Sequence, residues 1–262
     1  MNAYANVHQL KEVLYLDQSS TARDDELLLV SIAASRNIDH VIQREFWVER
    51  DTRYFKPHSA RRAIIDDVTS IEEISVVSAS GTTVLTSYDY YLEPRHLPVK
   101  NIIALDDTVN VVFSGDEDIV VTGTFGYGNG TASPWLSINA VATTDAVSTL
   151  VDFDINHGLY PGQTILVGSE QMFILATPTT KRATVVRGVN KTTAAIHKEA
   201  SVYVMQYPHE VVVAALWLAV DMFKRIHTGG ILSERLGDHS YTLDQNTSLF
   251  VERVLAGLRR FW

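Results

Sequence analysis

Asp118-Ile119-Val120-Val121-Thr122-Gly123-Thr124-Phe125-Gly126-Tyr127-Gly128-Asn129-Gly130 is a β-favouring run that breaks into four closely spaced glycines. A phosphate cradle would need the glycines to open a helix and, as a P-loop, to carry Lys-Ser/Thr. Neither holds, so the stretch reads as a strand ending in a turn. Upstream the texture is the same: Ala63-Ile64-Ile65, Ile74-Ser75-Val76-Val77, Thr83-Val84-Leu85, Tyr88-Asp89-Tyr90-Tyr91-Leu92 and Asn110-Val111-Val112-Phe113, separated by turn signals at Ser80-Gly81 and Ser114-Gly115-Asp116. That pattern predicts a small antiparallel sheet. Downstream, residues 134–207 form a second β-rich segment, with strands expected at 150–153, 164–167, 172–177, 183–186 and 201–207 and a turn at Tyr160-Pro161-Gly162.

Helices flank both. Leu10, Val13 and Leu14 recur at helical spacing within residues 7–16, and Leu28, Ile32, Ser35, Ile38 and Ile42 do so over 24–43, with Thr21 and Asp24 spaced as a capping box. The small residues Ser31 to Ser35 allow a close neighbour on that helix. A third, largely apolar helix starts after Pro208 and runs towards Lys224-Arg225 and the stop Gly229-Gly230. An irregular stretch, 233–243, leads to a last amphipathic helix from about Thr247.

The 262 residues are 46% hydrophobic and 20% charged, which is ordinary globular composition. With 22 Lys+Arg against 31 Asp+Glu the formal charge is −9, whereas a general nucleic-acid binder is more often basic. Nearly all of the excess sits in residues 57–130, where 11 acidic side chains face 4 basic ones. There is no Cys, which excludes disulfides and thiolate chemistry. The start of the chain has no signal-peptide pattern, so cytoplasmic synthesis is expected, and the longest apolar run, Val211 to Val220, is about half of what a bilayer needs.

Catalytic constellations are not evident. Asp116-Glu117-Asp118 lacks the spacing of an EF-hand, and Asp66-Asp67 and Asp106-Asp107 read as turn or cap residues. The nine His show no pair at metal-ligand spacing, no Gly-x-Ser-x-Gly elbow exists, and neither His197 nor the Asp238-His239 pair has an assigned nucleophile. No enzyme activity, cofactor or metal is expected.

Three separated stretches resemble the head–tail connector (adaptor) proteins of tailed bacteriophages. They are Asp25-Glu26-Leu27-Leu28 with Ile32-Ala33-Ala34-Ser35, Ile38-Asp39 and Phe46; Ile119 to Gly128 followed, after an interval, by Pro208 to Leu216; and Glu234 to Thr242 before a Leu-rich, Arg-bearing tail from Leu255 to Phe261. The likeness covers roughly 8–128 and 208–262. The interval 131–207 departs from it, and its Gly168-Ser169-Glu170-Gln171-Met172 and Val186-Arg187-Gly188 to His197 resemble a small β-module of phage structural proteins.

The resemblance implies an α+β fold: a helical connector core in two parts, 1–56 and 208–262, a small antiparallel β segment at 57–130, and an inserted all-β domain, a small barrel or sandwich, at 131–207. It implies a non-enzymatic homo-oligomeric ring, usually of 12 copies, in the virion neck. The ring would bind the portal protein on one face and a neck, stopper or tail protein on the other, with DNA passing unbound and no membrane contact. Portal docking would fall to Leu255, Leu258, Arg259, Arg260, Phe261 and Trp262, although the two terminal aromatics can equally be read as folding back on the chain's own core. Asp66, Asp67, Glu72, Glu73, Asp106, Asp107, Asp116, Glu117 and Asp118 are candidates to line the passage and repel phosphate. A carbohydrate- or receptor-binding tail or baseplate protein is the alternative, motivated by Phe153, Tyr160 and Phe173; a cell-wall hydrolase is a third. An insertion at 131–207 would be dispensable for folding.

Overall fold

The computed structural model describes residues 1–109, 111–227, 233–236, 239–242 and 247–259. Strands hold 38% of the chain and helices 23%, so the protein is mostly β, with a closed six-stranded barrel and a large sheet. The expected helical connector core is therefore corrected. Its helices exist, but they are a layer on a β protein and do not form the body of the fold.

The chain divides into two compact units, one of Met1–Arg44, Trp135–Val189 and Thr193–Trp262, the other of Glu45–Pro134 and Asn190–Thr192. The first unit contains helices α1 (Val7–Val13) and α2 (Asp24–Ile42), the sheet of the second unit supplies β1 to β6, and the barrel strands follow as β7 (Trp135–Thr144), β8 (Leu150–Phe153), β9 (Thr164–Val167), β10 (Glu170–Thr179), β11 (Arg182–Val186) and β12 (His197–Met205). Then come α3 (His209–His227), a two-stranded hairpin β13 (Ser233–Leu236) and β14 (His239–Thr242) where an irregular stretch was expected, and α4 (Thr247–Leu255).

The barrel closes in the order β10-β11-β8-β7-β12-β9. Alternate residues point inward, and Ala140, Ala142, Val151, Phe153, Ile165, Val167, Met172, Ile174, Val185 and Val202 fill its interior. These buried apolar side chains make the barrel interior a packed core.

Against this barrel and α2 lies the extended segment Asn2-Ala3-Tyr4-Ala5, almost wholly buried. Thr164 Oγ1 donates to Asn2 Oδ1 at 2.9 Å, the Val7 amide donates to the Pro161 carbonyl at 3.0 Å, and the Tyr4 ring meets Tyr207 edge-on at 4.7 Å. On the helix side the Tyr4 amide donates to Ser35 Oγ at 2.9 Å, Ser31 Oγ donates to the Ala5 carbonyl, and Tyr4 Oη donates to Asp39. The small residues of α2 thus admit an extended segment at close range as well as α3. An Asn6–Gln9 capping box starts α1. The expected box at Thr21 is absent: Arg23 is the N-cap of α2 without a side-chain bond, and the Asp24 carboxylate pairs with buried Lys11 at 2.5 Å.

The second unit is a six-stranded sheet of β1 (Glu49–Phe55), β2 (Arg62–Ser78), β3 (Gly81–Leu85), β4 (Tyr90–Glu93), β5 (Lys100–Leu105) and β6 (Asp118–Phe125), ordered β1-β6-β2-β5-β4 with β3 paired to β2. The runs at 63–65 and 74–77 belong to one 17-residue strand, β2, bent at register shifts on both sides. Residues 111–113, expected as a strand, are irregular. Phe113 inserts into the sheet's core while its amide donates to the Ala60 carbonyl, and Val112 stays exposed. Gly126 ends β6 at φ +120, where a Cβ would run into the Trp47 carbonyl oxygen, so only glycine fits.

Trp135–Val189 fall in the same compact unit as Met1–Arg44 and Thr193–Trp262. Replacing 131–207 with a short Gly/Ser linker should remove the partners of Asn2, Tyr4 and Val7. We expect loss of the cooperative helical circular-dichroism transition, where an independent insert would leave it intact.

Candidate functional site

The most elaborate polar arrangement in the first unit surrounds Glu170, the first residue of β10, whose side chain is fully buried. Oε1 accepts from Arg187 Nε at 2.7 Å and from the Gly188 amide at 3.0 Å. Oε2 accepts from Arg187 Nη2 at 2.7 Å, the Ala195 amide at 3.0 Å and His197 Nε2 at 2.9 Å. Arg187 in turn donates through Nη1 to the carbonyls of Asp145 and Ser148 and to Thr144 Oγ1, and through Nη2 to the Ala195 carbonyl. Burial alone would raise the Glu170 carboxyl, but Arg187, the Ala195 amide and His197 outweigh it and hold it down to about 2.

Chemically this is a clamp. A carboxylate with both oxygens saturated and no exposed surface offers neither a free lone pair nor a path for substrate. What it does is fix two irregular segments, 144–148 and 187–197, to the barrel wall. In sequence Glu170 and Arg187 stand out only through the resemblance to a phage β-module, and His197 also as a histidine without a nucleophile. The signal that marks Glu170 itself is a carboxylate opening the otherwise apolar run Met172-Phe173-Ile174-Leu175.

In the second unit Arg53 gathers carboxylates from three places, bonding Asp66 at 2.7 Å, Glu49 at 2.8 Å and Asp51 at 3.2 Å while lying 4.5 Å over the Phe125 ring. Burial pushes the neighbouring Glu45 carboxyl upward. Among the described residues no three His, Asp or Glu side chains converge as metal ligands.

The nine acidic candidates do not form one cluster. Asp66 and Asp67 lie within β2 at its register shift, Asp67 buried, where a turn or cap had been expected. Glu72 and Glu73 are exposed further along β2, with Glu72 held by Arg50 in a bidentate pair at 2.7 and 2.6 Å. Asp106 accepts from Thr108 in the turn after β5, and Asp107 beside it is 97% exposed. Asp116 and Glu117 accept from Ser114, and Asp118 pairs with Lys56 at 2.9 Å.

Of the docking candidates, Leu255 is buried within the protein's own interior, as is Val251 on the same helix; Leu258 is half-buried and Arg259 exposed. Arg260, Phe261 and Trp262 lie outside the described residues, as does Asp238 beside His239. The aromatics behind the glycan-binding alternative are not a platform: Phe153 and Phe173 are core residues and Tyr160 stacks on His8 at 4.2 Å. Compared with known protein families and with curated proteins, the chain matches none.

The Glu170 clamp has a pH signature. A carboxyl depressed from 4.5 to about 2 contributes stability that is complete above pH 4.5 and lost as pH falls towards 2, on the order of 3 kcal/mol. Chemical denaturation between these limits should show that loss in the wild type and a flatter profile in Glu170→Gln. At neutral pH, Arg187→Met, which strands the buried carboxylate, should cost about 3–5 kcal/mol.

Proposed function

We propose that the protein is a structural component of a tailed-phage virion, an adaptor that assembles as a ring between capsid portal and neck or tail and leaves a passage for DNA. One observation supports the reading most. Two of the stretches that carry the family resemblance, Asp25 to Asp39 and Pro208 to Leu216, are about 170 residues apart in sequence yet lie on α2 and α3, which pack together. Their ends are tied: His227 Nε2 meets Glu26 at 2.8 Å, and the Arg23 guanidinium lies 5.7 Å over Phe223. In this chain the two stretches are thus neighbours in space. The clamp at Glu170 fits a protein whose barrel presents fixed loops for docking.

Electron microscopy of the purified protein, alone and mixed with the portal protein of the same genome, tests the reading. Rings, alone or seated on the portal, are the expected result. A chain that stays monomeric and ignores the portal, and above all one that binds glycans, would overturn it.

A further inference from the structure

We infer that His157 is an acid-operated latch that couples the barrel loop 154–163 to the first turn of α1. The inference stands apart from the assembly reading and does not rest on it. His157 is buried, and both ring nitrogens are engaged by backbone groups: the Leu159 amide donates to Nδ1 at 2.9 Å and Nε2 faces the Thr179 carbonyl at 3.2 Å. A carbonyl can only accept, so the proton sits on Nε2 and Nδ1 is a bare acceptor. Protonating Nδ1 sets N–H against N–H and breaks the bond to Leu159. Burial against Phe153, whose ring centroid is 4.7 Å away, disfavours the imidazolium and pushes His157 below its ordinary 6.5.

The charged groups on the surrounding elements are already engaged with one another or with backbone. Asp152 of β8 pairs with Arg182 of β11, Lys181 donates to the Asp154 carbonyl at 2.9 Å, and the Asp154 carboxylate accepts from the Val141 amide at 2.9 Å. On the α1 side the titratable groups are His8, stacked on Tyr160, and Glu12, 3.4 Å from His8.

What the bond to Leu159 holds is a short path to the helix layer. Leu159 is a barrel-core residue, the Pro161 carbonyl receives the Val7 amide at 3.0 Å, and the Gly162 amide donates to the Ile174 carbonyl at 2.9 Å. Gly162, at φ +98, backs onto Asn6. A histidine with a lowered folded-state value contributes stability above its ordinary 6.5 and loses it as pH falls through that lower value. Glu170 stays ionised through this window because its carboxyl titrates near 2. The 187–197 clamp therefore holds while the 154–163 loop lets go.

Amide hydrogen exchange at about pH 7.5 and about pH 5, corrected for intrinsic rates, reads the latch directly. The Val7, Leu159 and Gly162 amides should exchange about tenfold faster at the lower pH, while the Tyr4 amide, bonded to Ser35, stays protected. His157→Asn keeps an acceptor oxygen near the Nδ1 position and does not titrate, so its loop should ignore the change. Equal acceleration in that variant, acceleration of Tyr4 alongside Val7, or no acceleration in the wild type would overturn the latch. If His157→Asn fails to fold, nitrogen-detected titration of His157 in the wild type decides. Its protonation must follow the loss of Val7 protection with pH, and a titration at or above 6.5, or one uncoupled from Val7, would overturn it.

Discussion

Much of the first unit's irregular structure depends on one buried carboxylate. Placing Glu170 inside the barrel wall would be prohibitive without partners, because an isolated ion in a medium of low polarity loses its hydration with nothing in return. Five donors remove that cost, and all five come from two short stretches, Arg187-Gly188 and Ala195 to His197, which therefore cannot move without exposing an unpaired charge. Arg187 extends the constraint to 144–148 through carbonyls that no strand satisfies. Regular hydrogen bonding ends at β7 and β11, and ion pairing takes over the work of ordering the chain.

A different solution joins the barrel to the helices. Here most of the bonds join neutral groups: the Ser31 and Ser35 hydroxyls on the buried face of α2, the Asn2 amide and the Tyr4 and Ala5 backbone in the extended segment, and Thr164 on β9. Serine in a helix interior usually competes with the helix's own bonding. At these two positions the hydroxyls face a backbone that brings its own unpaired groups, so the competition becomes the contact. Charge enters this seam beside the serines, where Tyr4 Oη donates to Asp39 and Arg36 donates to the Asn2 carbonyl at 3.3 Å.

How far the sequence reveals this can be judged element by element. The helices at 7–13, 24–42 and 209–227 and the strands at 150–153, 164–167 and 182–186 follow from apolar spacing. β1 does not, because Glu-Arg-Asp-Thr-Arg reads as solvated chain until Arg53 is seen collecting Glu49, Asp51 and Asp66. β7 is hidden for the opposite reason: its Ser, Asn, Ala and Thr residues have too little apolar contrast for an alternating pattern, and only barrel closure makes them a strand. The greater misreading is one of proportion. Long amphipathic helices announce themselves, whereas strands whose register shifts, as in β2, β10 and β12, blur the two-residue period, so the helical share looks larger in sequence than in space. The candidate site was half legible, since the Arg187-Gly188 and His197 pattern stood out while Glu170, its centre, is a single residue whose meaning depends on which way the strand faces.

The acidic excess needs a distinction between satisfied and neutralised. Arg53, Arg50 and Lys56 each bring a cation to Asp66, Glu72 and Asp118. Thr108 and Ser114 bring only neutral donors to Asp106, Asp116 and Glu117, holding the Asp106 and Asp116 carboxyls below the usual range without cancelling their charge. Asp107, nearly fully exposed and 3.9 Å from Arg61, is screened by water. Carboxylates without a close cationic partner thus recur at the turns 106–107 and 116–117, where neutral donors hold the Asp106 and Asp116 carboxyls below the usual range. Their field reaches roughly 8 Å at physiological salt. In an adaptor ring it is these two turns, and not the paired carboxylates of β2, whose distance from the axis would govern any repulsion felt by passing phosphate.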